Sequence, residues 1–171
     1  RRDGVITPVP PGYRTLEVDF GDGKPRMAVT IPWGDISTGY HSTGIGNIEV
    51  YMAMSPGRIK ALRRTRHFGF LLRSAPVRWL ARTMVDRGPA GPSPDARATG
   101  RTSVWGEVTD AEGRRAAGRI QGPEGYTLTA LSAVRAMERT LSGVAPGFQT
   151  PSRAFGPDFV LEIPGVTRED L

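Results

Sequence analysis

No cysteine occurs in the 171-residue chain. That absence excludes disulfides, thiolate nucleophiles, Cys-ligated zinc and iron–sulfur clusters together. It fits a reducing compartment, and a cytoplasmic location is expected. Imidazoles are scarce too, with only His41 and His67. They lie far apart and neither sits in a His-Glu-x-x-His frame, so no metal site is expected. Long apolar runs are also missing. The stretch Phe68–Leu72 is short and closes on Arg73, far below the length of a bilayer span. There is no charged-then-apolar leader pattern. The chain opens Arg1-Arg2-Asp3-Gly4 rather than on Met, and an amino-terminal part is expected to precede it.

What is present reads as a globular chain. Hydrophobic residues make up 38% and charged residues 23%, the range of packed domains rather than disordered ones. The length suits one domain, residues 1–171, with one core. The 22 glycines and 15 prolines imply short elements and many turns. A net charge of +6 favours anionic partners: nucleic acid, an anionic membrane or an anionic substrate. No recognition-helix or zinc-finger pattern accompanies it, so specific nucleic-acid binding is not expected.

Alternation marks the first elements. Leu16, Val18 and Phe20 point one way, and Met27, Val29 and Ile31 repeat the pattern. Gly21-Asp22-Gly23 between them predicts a tight hairpin. Asp35 or Gly34 can cap a short helix over Ile36–Thr43, with Gly44 and Gly46 stopping it. Asn47–Ala53 alternates as a third strand. Ser55-Pro56 starts a helix carrying Ile59, Leu62, Arg66 and Phe70, and Ser74-Ala75-Pro76 starts another that ends at Gly88. Pro89–Pro94 reads as a loop. Arg101–Asp110 and Arg114–Gln121 pair around Ala111-Glu112-Gly113. Leu128, Leu131, Val134, Met137 and Leu141 recur at helical spacing over Tyr126–Leu141, and this helix is expected to cover one side of a sheet. The tail Pro146–Leu171 reads as irregular. Strands in hairpins and helices apart predict α+β: a mixed, largely antiparallel sheet with helices packed mainly on one face.

Chemistry-bearing side chains crowd between Trp33 and Tyr51. Asp35, Tyr40, His41, Ser42, Thr43, Asn47, Glu49 and Tyr51 all fall there. On a helix, Ser37, Tyr40 and His41 share a face, which makes general acid/base work by His41 or Tyr40 chemically possible. The alternative is a capped short helix whose hydroxyls bond to backbone. Gly44-Ile45-Gly46 does not extend to a Gly-x-Gly-x-x-Gly fingerprint, because Glu49 fills the last position and a strand follows. The turn Gly122–Gly125 feeds the long helix, a place for an anion. Glu124 would repel one, so a site there would have to use the Thr127 and Thr129 hydroxyls or Tyr126, and the alternative is simple helix capping.

Residues 58–87 hold nine cations against one acid, Asp86. One reading is a cationic amphipathic helix pair, with Phe68, Phe70, Leu71, Leu72, Trp79 and Leu80, suited to lipid headgroups or an anionic partner. The other is a solvated charged face over an apolar stripe.

Several strings look familiar. Val29-Thr30-Ile31-Pro32-Trp33-Gly34-Asp35 and Ser42-Thr43-Gly44-Ile45-Gly46-Asn47-Ile48-Glu49-Val50-Tyr51 resemble the middle of bacterial saccharopine-dehydrogenase-like oxidoreductases. Trp105-Gly106-Glu107-Val108 and Pro123–Ala130 resemble their later part, and Gly147–Gly156 their closing segment. The resemblance implies an amino-terminal Rossmann domain holding NAD(P), absent from this chain, followed by the mixed α/β part that this chain represents. It implies that the present part binds a small-molecule substrate, often pairs subunits as a homodimer, binds no cofactor by itself and is inactive alone. On that footing His41 and Tyr40 are the expected catalytic pair. Asp35, Ser42, Thr43, Asn47 and Glu49 are the expected substrate contacts. The alternative function is a non-enzymatic basic module docking to an anionic membrane or partner through residues 58–87.

Overall fold

Residues 14–31 turn back on themselves because each half can bury one face. In the computed structural model, which describes residues 1–68, 74–88 and 91–171, β1 (Thr15–Val18) pairs antiparallel with β2 (Arg26–Thr30). The register sets Val18 opposite Arg26, so the connection is longer than Asp22-Gly23 alone predicts. Asp19 explains it: its Oδ1 accepts from the amides of Gly21 at 2.8 Å and Gly23 at 3.2 Å, while Pro25 has no N–H with which to extend the ladder. Next comes α1 (Asp35–Thr43), capped by Gly34 and closed by Gly44 at φ 73°, a left-handed turn that suits glycine. Strand β3 (Tyr51–Ala53) pairs with β2. It is shorter than the alternation over 47–53 predicts.

Helices α2 (Pro56–Phe68) and α3 (Ala75–Asp86) start where Ser55-Pro56 and Ser74-Ala75-Pro76 predict. Phe70, Leu71, Leu72 and Arg73 of the expected apolar and basic face lie outside the described residues, as does the start of the expected Pro89–Pro94 loop. That loop gives way to α4 (Pro94–Thr99), where the Ser93 side chain accepts from the Ala96 amide.

A second antiparallel sheet follows: β4 (Arg101–Thr109), β5 (Arg115–Pro123) and β6 (Thr167–Asp170), in that order. Between β5 and β6 run α5 (Gly125–Leu141), α6 (Pro151–Phe155) and a 3-10 turn at Phe159–Glu162. The tail is therefore not irregular throughout. Strand β6, Thr-Arg-Glu-Asp, carries no apolar alternation. Its ladder to β5 and the pair of Arg119 with Glu169 at 2.9 Å supply what a buried face would.

The chain is thus α+β, with all named strands antiparallel. Contacts gather it into two compact units. One comprises Arg1–Val18 with Pro25–Gly91, the other Asp19–Lys24 with Pro92–Leu171. Buried apolar side chains fall likewise into two groups among the described residues: Val18, Ala28, Val29 and Ile59 in the first unit, Phe159 and Ile163 in the second. Helix α5 is set by Glu124, whose carboxylate accepts from the Tyr126 and Thr127 amides. It meets β5, where Leu128 lies against Gly122. The rest of its apolar stripe is not covered as the spacing predicts: Val134 is 60% exposed, Met137 69% and Leu141 85%. Arg135 reaches Glu162 at 2.8 Å, so a polar contact links the helix to the 3-10 turn.

These placements set opposite outcomes for two apolar truncations. Val29→Ala empties a fully buried site and is expected to lower the unfolding free energy by about 2 kcal/mol in urea. Leu141→Ala is expected to stay within about 0.5 kcal/mol. Equal losses would put the α5 stripe inside after all.

Candidate functional site

The first unit is organised around its amino-terminal segment. Asp3 donates its amide to Asn47 Oδ1 at 2.9 Å, Gly4 donates to the Gly46 carbonyl at 3.0 Å, and Ile48 donates to the Arg1 carbonyl at 3.1 Å. A Cβ on Gly46 would stand 3.2 Å from the Gly4 nitrogen, a tight approach that glycine eases. The chain then runs as a strap through Ile6, Thr7, Pro8, Val9, Pro10 and Pro11. Its far end is held by α2. Arg66 donates to the Pro11 carbonyl at 2.7 Å and the Gly12 carbonyl at 2.8 Å, and Arg63 donates to the Gly12 carbonyl at 3.1 Å.

Between the strap and the sheet lies a cavity of about 460 Å³, within the range of small-molecule sites. Its walls are apolar. Ile31, Pro32, Ile48 and Val50 come from the sheet and its flanks, Ile36 from α1, Leu62 from α2, and Met54 precedes that helix. Polar groups in the lining include Arg1, Arg2, Thr7, Tyr13, Thr30 and Glu49.

A row of polar side chains crosses the sheet beside this cavity. Arg14 donates its amide to Thr30 Oγ1 at 3.1 Å. Thr30 stands opposite Tyr51 in the β2–β3 register. The Arg14 guanidinium meets Glu49 Oε1 at 2.9 Å, and the Tyr51 hydroxyl donates to Glu49 Oε2. Burial first, then the bond to Glu49 and its negative charge, raise the Tyr51 pKa from its ordinary 10.0 to about 12. Glu49 in turn raises that of Arg14. Arg2 donates to the Tyr13 hydroxyl at 2.5 Å, and that bond with the arginine's charge lowers the Tyr13 pKa. Both Arg2 and Arg14 also stand near the Tyr13 ring, at 5.5 and 5.3 Å, a cation–π arrangement.

The residues singled out from sequence separate into several places. Glu49 alone among them lines the cavity. Asn47 fixes the amino-terminal segment through Asp3. Tyr51 opens β3, and the others ride on α1. Asp35 is exposed in its first turn, and Tyr40 and His41 meet edge-on at 6.0 Å in its last. The Arg1 guanidinium lies 4.2 Å from the Tyr40 ring. Ser42 and Thr43 donate to the Thr38 and Gly39 carbonyls one turn back, a common use of helical hydroxyls. Tyr13, Arg14 and Arg2 were not singled out. Arg14 was legible, because consecutive hairpin pairing brings Arg14, Thr30 and Tyr51 into one row across the strands. The described residues contain no cluster of His, Asp and Glu able to hold a metal. No family model, curated protein or solved structure matches the chain.

The raised Tyr51 pKa carries a sign. A phenol that holds its proton more tightly when folded adds stability that is complete below about pH 10 and lost as pH climbs through about 12. Replacing Glu49 by Gln is expected to lower the Tyr51 pKa without returning it fully, since burial is the first cause. An NMR titration of ring-labelled tyrosine reads this, with Tyr51→Phe assigning the signal. An unmoved midpoint would exclude Glu49 as a contributor.

Proposed function

We propose that this chain is the substrate-binding and oligomerisation part of a saccharopine-dehydrogenase-like NAD(P)-dependent oxidoreductase. It works in the cytoplasm with a nucleotide-binding domain that lies amino-terminal to it. The observation that supports the reading is the cavity of about 460 Å³ beside Glu49, which takes Thr30, Ile31, Pro32, Ile48, Glu49 and Val50 of its lining from two of the strings that resemble the family. All named strands are antiparallel, whereas a dinucleotide domain is built on parallel βαβ units. In this reading Glu49, held by Arg14 and Tyr51, orients the substrate. Tyr40 and His41 handle protons where the nucleotide-bearing domain meets α1. Asp35, Ser42, Thr43 and Asn47 belong to the same face of the reaction. The exposed stripe Val134, Met137 and Leu141 is available for pairing into a homodimer.

Two measurements test this. Calorimetric titration of this chain with NADPH is expected to give no binding, and tight binding would overturn the assignment of the nucleotide to another domain. In the complete enzyme, His41→Ala is expected to lower kcat by about a hundredfold, the lower range for general acid–base groups, with the circular dichroism spectrum unchanged. An unchanged kcat removes His41 from the chemistry.

A second reading is favoured by α3. Trp79, Leu80, Met84 and Val85 are each more than half exposed, and Arg78, Arg82 and Arg87 accompany them against Asp86 alone. Apolar residues with a cationic face suit the surface of an anionic bilayer. Sedimentation with phosphatidylglycerol vesicles is expected to carry the chain down, and added salt to release it. Failure to sediment at low salt ends this reading.

A further inference from the structure

We infer that the cavity under the amino-terminal strap takes a hydrocarbon chain bearing one anionic head group, a fatty-acid-like ligand. The inference rests on the substrate-binding reading above and names the class of molecule bound.

The walls decide the chain. Ile31, Ile36, Ile48, Val50, Met54 and Leu62 have side chains of hydrocarbon, apart from the weakly accepting thioether of Met54, and they come from separate parts of the first unit. The strap adds Pro8, Pro10 and Pro11. Proline has no N–H, so three chances to donate to a ligand are missing along one wall. A polyhydroxylated molecule or a multiply charged amino acid would lose water here without recovering its hydrogen bonds. An alkyl chain loses nothing by the same transfer.

The polar lining decides the head group. Arg1 and Arg2 are cations whose bonds go to uncharged acceptors, Arg1 to the Gly4 and Ile36 carbonyls and Arg2 to the Tyr13 hydroxyl. Neither charge is paired by these bonds, and Arg2 is exposed, so the lining meets water at a positive charge. The acid in the lining is Glu49. Its two oxygens are already engaged by Arg14 and Tyr51, which offsets its repulsion of an anion. A carboxylate or phosphate on the ligand therefore matches the charge of the rim, and a quaternary ammonium does not.

The cavity is also held open before any ligand arrives. Arg63 and Arg66 fix the Pro11 and Gly12 carbonyls, and Gly12 adopts φ +62°, where a Cβ would come within 2.9 Å of Arg63 Cγ. Binding then need not order the strap, which lowers its entropic cost.

The test is calorimetric titration of the whole chain below micellar concentration with laurate, dodecyltrimethylammonium and glutamate. Laurate is expected to bind at one site, and the cationic chain of equal length about tenfold more weakly. Glutamate is expected to give no heat. Ile48→Asp is expected to abolish laurate binding. Should that variant not fold, Arg2→Glu at an exposed position is expected to weaken laurate by about tenfold while leaving the circular dichroism unchanged. Glutamate binding with laurate inert overturns this inference and keeps the substrate-binding reading. Silence from all three ligands overturns both. Laurate binding at several sites, indifferent to Arg2→Glu and Ile48→Asp, reports the exposed helix faces instead and overturns the cavity assignment.

Discussion

The cavity depends on two arginines that never face a ligand. Residues Ile6 to Pro11 form no strand or helix, and three prolines in six positions deprive them of half of the donors that a ladder would need. Such a segment has no local reason to lie over a sheet. Arg63 and Arg66 supply the reason, by donating to carbonyls more than fifty residues earlier in the chain. Hydrogen bonds from a charged donor are stronger than neutral ones, and here they fall on adjacent carbonyls at the point where Gly12 turns. The other end is pinned by Asn47 and Gly46. Between these anchors the strap lines the cavity with Thr7 among apolar Ile6, Pro8, Val9, Pro10 and Pro11.

This division of labour changes how the basic stretch reads. Nine cations between residues 58 and 87 look like one electrostatic surface when counted. Two of them are spent on backbone carbonyls, so net charge overstates what α2 can offer to a partner. Helix α3 differs. It carries Arg78 and Arg82 beside exposed Trp79, Leu80 and Met84. The amphipathic reading therefore narrows from the whole stretch to one helix. Sequence periodicity cannot separate the two cases, because an arginine bonded to a carbonyl and one in water occupy the same helical positions.

Much of the fold was legible for plain reasons. The first hairpin, α1, α2, α3, the β4–β5 pair and α5 all follow from alternation, helical spacing and Gly, Ser or Pro boundaries. What escaped has physical causes. Strand β6 has no apolar side and is held by backbone pairing and ion pairs. Helix α4 follows Ser93-Pro94, the same signal that marks α2, but sits in a Pro-rich stretch that reads as loop. The stripe on α5 has helical spacing whether or not anything covers it, and periodicity carries no information about the partner. The candidate site was half legible. Glu49 and Tyr51 stood out by residue type, whereas the strap could be placed only through contacts distant in sequence.

The polar row beside the cavity limits the chemistry each member can perform. Tyr51, with its pKa near 12, keeps its proton across the neutral range and so donates a hydrogen bond to Glu49 rather than transferring a proton. Arg14, raised further by the same carboxylate, stays charged. Together they fix the orientation of Glu49 from two sides, which is what a positioning group requires. Tyr13 moves the other way because Arg2 bonds its hydroxyl, which places the more acidic phenol next to the cationic part of the lining. A site arranged so is better at holding a ligand by charge and shape than at acid–base exchange. His41 and Tyr40 meet edge-on on α1, and neither borders the cavity, so the polar row and the α1 pair are separate sets of groups.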